Sequence, residues 1–449
     1  MGTRVSGGMQ AAVRLRQARP CTWLGFIIEE ERMHTTTSMA RLDPASLDAA
    51  DPLAPYRERF LLPEGVIYLD GNSLGPASHA ALQAVEQAAR SEWAQGLVRS
   101  WNTAGWFDMP ISAGNLVARL VGAAPGQVAI CDSVTINLYK VLQAAMALRP
   151  GRRTIVAEAG SFPTDLYIAQ GVVANMQGAR LRLAGRDADT LEALIDDDTA
   201  VVLVNHVDYR SGALRDMAGL TAKAHAAGAL AIWDLCHSAG ALVVELDACE
   251  ADFAVGCTYK YLNCGPGAPA FVYAAARHHA QLRQPLSGWW GHARPFEFEI
   301  DYAPATGIKA FLTGTPPVLS LRALRGALAD WSDVDMGRLR EKSLSLTQYF
   351  MDLVEDRCAA HGLVSITPRD PGARGSQVSL RFEHAYPAMQ ALIAKGVIGD
   401  FRAPDVMRFG FTPLYISFTD VARAVEILKE VLDTELWRDE AYAAKTAVT

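Results

Sequence analysis

A chain of 449 residues, half of them hydrophobic and a fifth charged, has the composition of a globular protein with about two to three domains. Its 42 basic and 49 acidic residues leave a net charge of −7, so the basic footprint of a nucleic-acid binder is missing and small-molecule chemistry is favoured. Seven cysteines without CxxC spacing speak against a disulfide framework and a zinc site and fit a reducing cytoplasm, and no uncharged apolar stretch reaches the roughly 18 residues of a membrane helix.

Arg14, Arg16 and Arg19 before the apolar run 21–28 imitate a signal peptide, but the run is short and Glu29, Glu30 and Glu31 stand where small residues would be cleaved. Export is therefore not expected, and residues 1–40 read as a disordered extension with Met33 and Met39 as alternative starts. Residues 68–75, YLDGNSLG, form a turn-rich segment after a short strand, and a helix is predicted from about Ser78 to Gln95. Trp101 and Trp106, set among small residues, are either core plugs or an aromatic wall. Ser133 and Thr135 precede an apolar helix, Leu138 to Ala147, and fit an N-cap and an anion site equally well. A strand over 154–159 turns through Gly160–Asp165 into a helix from Leu166, whose dipole Asp165 would favour. Helix 191–195 with strand 200–205, then helix 220–227 with strand 229–233, repeat an alternation that implies a mostly parallel sheet.

The apolar strand 229–233 stops at Asp234, and a carboxylate at the end of a parallel strand sits where α/β folds bind ligands. Further strands are predicted over 242–246 and 251–257, the second running into Thr258, Tyr259, Lys260 and Tyr261 before the turn 263–267. Lys260 is either a snorkelling lysine with its amine in water or a desolvated, nucleophilic one. An acid on the neighbouring strand is what a pyridoxal phosphate enzyme needs to keep the pyridine nitrogen protonated, which favours the second reading. His292 reads as a loop histidine. From Val318 the pattern changes to long amphipathic helices, 319–331 and 339–361, followed by short strands and a helix. The domain boundary is predicted near 315–320. Arg408 on the strand 406–411 is, from the residues alone, either a surface charge or a bidentate carboxylate grip.

The pair WDLCH (233–237) and CTYKYLNCGPG (257–267) resembles the cofactor core of kynureninases, within the fold-type-I pyridoxal phosphate enzymes, and the resemblance runs from about Tyr68 to Asp420. Cys236 and Cys264 replace small residues expected there. The resemblance implies an α/β, transferase-like fold. A mostly parallel sheet would lie in a large cofactor domain, 41–317, whose N-terminal segment packs on a smaller α+β domain, 318–449. Lys260, Asp234 and Tyr259 are implied as catalytic, with Lys260 bonded to pyridoxal 5'-phosphate and acting as base at the substrate α-carbon. Val134, Thr135, Phe162, Pro163, Thr164, Asp165, Asn205 and His237 are implied as further cofactor contacts, with no metal. Trp289 and Thr315 are implied to reach across a homodimer into the partner's site, and Arg408, Trp101 and Asn72 to bind substrate.

The implied activity is hydrolysis of L-kynurenine to anthranilate and L-alanine, and possibly of its 3-hydroxylated form, in tryptophan catabolism and NAD biosynthesis. Members that prefer the 3-hydroxylated substrate carry histidine and asparagine where Trp101 and Thr315 stand, so the plain substrate is expected to be favoured. A cysteine desulfurase or aminotransferase of the same fold is the alternative. A desulfurase needs a mobile thiolate, and beyond Cys264 only Cys358 remains. A non-enzymatic binding protein would tolerate loss of Asp234, Lys260 or Arg408, and all are present.

Overall fold

The computed structural model describes residues 38–444. Its largest unit is a seven-stranded sheet of β2 (Val128–Ile130), β3 (Thr154–Glu158), β4 (Arg180–Ala184), β5 (Thr199–Asn205), β6 (Leu230–Asp234), β7 (Phe253–Gly256) and β8 (Phe271–Ala274), in the order β2-β8-β7-β6-β5-β3-β4. Strands β7, β6, β5, β3 and β4 run parallel; β8 is antiparallel to both its neighbours. Every residue of β5 and β6 is buried, because helices cover both faces of the sheet. Alternation along the strands divides the core. Val202, Val204, Ala231 and Trp233 point into one cluster, and Val201, Leu203, Leu230 and Ile232 into the other. The register aligns Asn205 with Asp234 and Asp234 with Val255, so the carboxyl ends of three central strands open at one level.

A four-stranded antiparallel sheet follows from β9 (Val364–Ser365), β10 (Gln377–Arg381), β12 (Asp400–Arg402) and β13 (Val406–Gly410), ordered β12-β13-β10-β9. Helices Met336–Arg357, Ala385–Ala394 and Phe418–Asp433 accompany it, and β1 (Ile67–Tyr68) pairs in parallel with β11 (Val397–Ile398). Residues 38–51 pack on these C-terminal helices. Met39 N donates to Asp352 (3.0 Å), the Lys342 amine meets Asp51 (2.6 Å), and Asp48 accepts from Phe418 N (2.6 Å) and Thr419 N (3.0 Å) at a helix N-terminus. Of the extension expected over 1–40, residues 1–37 lie outside the described residues, while Ser38 caps the turn Met39–Arg41.

The predicted strand 242–246 is corrected by the structure. Strands β6 and β7 are direct neighbours, so the sheet has no place for another between them. Ala241 N and Leu242 N both donate to Ser238 O in a tight turn, and Leu246 N and Asp247 N bond Val121 O and Gly122 O (3.0 Å each). The run is apolar because Leu242, Val244 and Leu246 are buried, not because it pairs in a sheet. The predicted helix 191–195 shrinks to the single turn Glu192–Leu194, and the helix predicted over 78–95 is α-helical over His79–Gln87 before widening into π winding over Ala88–Gly96.

Candidate active site

Asp234 ends β6, is 5 % exposed, and accepts from Cys236 N at 2.6 Å, which turns the carboxylate outward from the strand end. One strand over, β7 stops at Gly256, and residues 257–264 make a turn closed by Asn263 N to Lys260 O (3.0 Å) and Cys264 N to Thr258 O (3.1 Å). Asn263 takes a left-handed φ of 61° there. Gly75 fits against the outside of this turn. A Cβ at Gly75 would lie 2.4 Å from Lys260 O and 2.4 Å from Asn263 Nδ2, and only glycine allows that approach. The turn sets Lys260 Nζ 3.0 Å from His237 Nε2. Burial, and then the charge of Lys260, push the His237 imidazole well below its usual pKa. The neutral ring therefore accepts a hydrogen bond from the amine.

The N-terminus of the helix Val134–Ala147 borders the same site, capped by the Ser133 hydroxyl, which accepts from Ile136 N. Its first amides have no acceptor within the helix. The Thr135 hydroxyl lies 3.2 Å from that of Thr164, on the first turn of the helix Pro163–Ala174. Phe162 N donates to Asn205 Oδ1 (3.0 Å), and Asn205 Nδ2 donates to Asp165 Oδ2 (2.6 Å). Asp165 is wholly buried; burial, and next the charge of Asp234, push its carboxyl well above the usual range. The Phe162 ring lies edge-on to Tyr209 at 5.2 Å, with Lys260 Nζ 5.8 Å from its centroid.

These groups enclose a cavity of about 440 Å³. Val134, Thr135, Phe162, Thr164, Asn205, Asp234, His237, Tyr259 and Lys260 line it, while Pro163 and Asp165 do not. Asp132, Tyr209 and Pro269 also line it and were not singled out from the sequence. The remaining expected residues do not reach it within one chain. Trp289 is 41 % exposed, Thr315 is exposed, and Trp101 packs against Trp106 and Trp290 at ring distances of 5.5 and 5.2 Å.

Arg408 does not line this cavity. It is 1 % exposed, and its guanidinium is engaged within the chain by a bidentate pair with Asp400, Nε to Oδ1 at 2.6 Å and Nη2 to Oδ2, and by the Tyr209 carbonyl at 2.5 Å. Asp400 sits opposite Arg408 in the β12–β13 register and also takes Arg402 at 2.9 Å. Asp70 adjoins this cluster, and burial, then the charge of Asp400, raise its carboxyl to about 8. Asn72 is fully buried beside Gly410, and neither of its side-chain polar atoms has a hydrogen-bond partner among the described residues.

Comparison with known proteins settles the family. The chain is 52% identical over 414 residues, 91% of its length and 99% of the relative's, to a kynureninase of Burkholderia pseudomallei. A kynureninase of Pseudomonas fluorescens is 51% identical over the same extent. This chain belongs to the kynureninase family. Residues 339–428 also match the family model described as the kynureninase C-terminal domain. The fold of this chain is similar to that of cysteine desulfurases. Those of Thermococcus onnurineus and Escherichia coli superpose with TM-scores of 0.72 and 0.70, each over 85% of this chain and 98% of theirs, at 17% and 20% identity. Past Lys260 the described residues offer no exposed thiol. Beyond Lys260, Cys264 and Cys358 are each 1 % exposed, and burial pushes the Cys358 thiol up to about 11.

The donor set fits pyridoxal phosphate. Free helix amides and two threonine hydroxyls suit a phosphate, Asp234 suits a cationic ring nitrogen, Phe162 offers a flat face, and Lys260 offers an amine to a carbonyl carbon.

Proposed function

We propose that this kynureninase-family chain hydrolyses L-kynurenine to anthranilate and L-alanine with pyridoxal 5'-phosphate. The observation that carries the reading is the convergence of Asp234 and Lys260, from adjacent strand ends, on one cavity that a helix N-terminus also lines. When bound, the cofactor supplies an electron sink for the electrons released at the substrate α-carbon. The chain supplies the rest. Val134 and Thr135 would hold the phosphate, with the Thr164 hydroxyl 3.2 Å from that of Thr135. Asp234 would pair with the cofactor's ring nitrogen and keep it protonated. Asp165 orients Asn205 by accepting from its Nδ2. Lys260 Nζ, held by neutral His237, is the base for the α-proton. The Tyr259 phenol is the proton donor at the cavity wall. Water supplies the hydroxyl that ends on the anthranilate carboxyl as the Cβ–Cγ bond breaks.

We further propose a cytoplasmic homodimer with composite sites. The loop carrying Trp289 also presents Phe296 (62 %), Phe298 (78 %) and Ile300 (102 %) to solvent, an apolar surface that a second copy would cover. Such a copy would bring Trp289 and Thr315 to its partner's cavity, and substrate would meet Asn72, Trp101 and Arg408. Incubation of the purified, cofactor-loaded protein with L-kynurenine should release anthranilate, followed by its fluorescence; absence of the product rejects the activity.

A further inference from the structure

One charged group in the cavity wall conflicts with an anion site beside it. Asp132 immediately precedes the capping residue Ser133, takes a left-handed φ of 49°, and lines the cavity at the helix N-terminus. A carboxylate there would repel a phosphate unless neutralised. Behind it lies Lys140, 0 % exposed in the middle of the same helix. Its amine donates to Asp132 Oδ2 (2.7 Å), to Phe311 O (2.7 Å) and to Cys131 Sγ (3.5 Å), so all three of its protons are placed. Thr313 Oγ1 donates to Asp132 Oδ1 at 3.2 Å, and Trp290 N donates to Thr313 O at 3.0 Å. One buried cation thus ties the anion end of the cavity to two loops of the chain. A buried ion pair is a poor source of stability, because desolvation cancels much of its attraction. Its effect here is on charge and position.

We propose that Lys140 is a positioning residue for the anion end of the cavity, neutralising Asp132 and fixing it to loop 311–313 so that the helix N-terminus accepts a phosphate. This rests on the reading that the cavity takes pyridoxal phosphate. The inference concerns the phosphate alone and not the ring or the reaction.

The test is ligand affinity of the cofactor-free protein, measured by fluorescence quenching for pyridoxal phosphate and for pyridoxal, and by competition for inorganic phosphate. Lys140→Met should raise the Kd for pyridoxal phosphate and for inorganic phosphate about tenfold, the order expected from one exposed negative charge near the site, and leave that for pyridoxal unchanged. The double variant Asp132→Asn with Lys140→Met removes both charges and should bring phosphate affinity back to within about twofold of wild type, a recovery that a merely structural role would not give. Asp132→Asn alone keeps the cation and should lower the phosphate Kd; it serves if Lys140→Met does not fold. A Lys140→Met Kd unchanged for pyridoxal phosphate, equal loss for pyridoxal, no recovery in the double variant, or weaker phosphate binding by Asp132→Asn would each overturn the proposal. Wild-type protein that fails to bind pyridoxal phosphate at all would instead reject the cofactor reading.

Discussion

Asp70→Asn should make the protein more stable in alkali and change it little in acid. In the folded chain the Asp70 carboxyl titrates near 8, against 3.8 for the ordinary group, chiefly because of burial and then because Asp400 lies beside it. Tyr68, Tyr261 and Tyr415 surround it as neutral phenols, and Arg402 and Arg408 oppose the rise without cancelling it. The folded state therefore holds a proton that the unfolded chain has already released. Stability falls with rising pH wherever the folded state binds more protons, so the loss spans pH 4 to 8 and levels off above 8. At about 1.4 kcal/mol per pH unit, the interval from pH 6 to pH 8 costs wild type about 2–3 kcal/mol that an uncharged asparagine does not lose. Asparagine can still donate to Asp400, so the cluster around Arg408 should survive. Urea midpoints of both proteins from pH 5.5 to 9 measure the difference directly. Parallel pH profiles for the two proteins would show that Asp70 is ionised in the folded state and refute the argument.

Lys260→Ala should abolish anthranilate formation and, by removing a cation 3.0 Å from the imidazole, raise the His237 pKa, visible in its ring proton shifts; near wild-type turnover would remove Lys260 from the chemistry. Gly75→Ala places a methyl where only 2.4 Å separates it from Lys260 O, so the turn must move; a loss of kcat of at least about tenfold with the fold retained by circular dichroism is expected, and unchanged kcat would show that the turn yields freely. If sites are composite, mixing and refolding Lys260→Ala with Trp289→Ala should recover part of the activity that neither has alone, whereas strictly additive rates would place each site within one chain.

Much of the cavity was legible because strand ends are legible. The apolar run before Asp234 and the Gly and Pro turn after Lys260 fix both side chains at the carboxyl edge of a parallel sheet, and the register Asp234↔Val255 is the geometry that alternation implied. Ser133 and Thr135 stayed ambiguous from the residues alone since a cap and an anion site use the same groups; in the fold Ser133 caps, while Thr135 turns its hydroxyl to Thr164. Other features depended on tertiary pairing. Residues 242–246 were apolar for burial, which has no period of its own. Arg408 carried the right guanidinium, but its engagement with Asp400 arises from a cross-strand register that local pattern does not specify. Asp132 and Lys140 were missed because a helix-interior lysine reads as a solvated face, and only the packed loop at Phe311 shows it buried.

We propose that substrate preference follows from the aromatic wall that Trp101 would present to the substrate. Trp101 is held edge-on to Trp106 (88°) and tilted on Trp290 (48°), with Phe107 packed on Trp290 at 4.9 Å, so the surface that this corner can offer a ring is largely apolar. An indole donates only through its nitrogen and accepts nothing there, so a phenolic hydroxyl placed against this wall loses its water without a full replacement. An unpaired buried hydroxyl costs roughly 1–3 kcal/mol, which corresponds to about 5- to 150-fold in kcat/KM. L-kynurenine should therefore be turned over more efficiently than its 3-hydroxylated form. Trp101→His supplies a ring that both donates and accepts, and should narrow the ratio by raising kcat/KM for the hydroxylated substrate more than for the plain one. Side-by-side kcat/KM values decide the matter: equal or higher values for 3-hydroxykynurenine with wild-type protein, or a ratio unmoved by Trp101→His, would show that this wall does not set specificity.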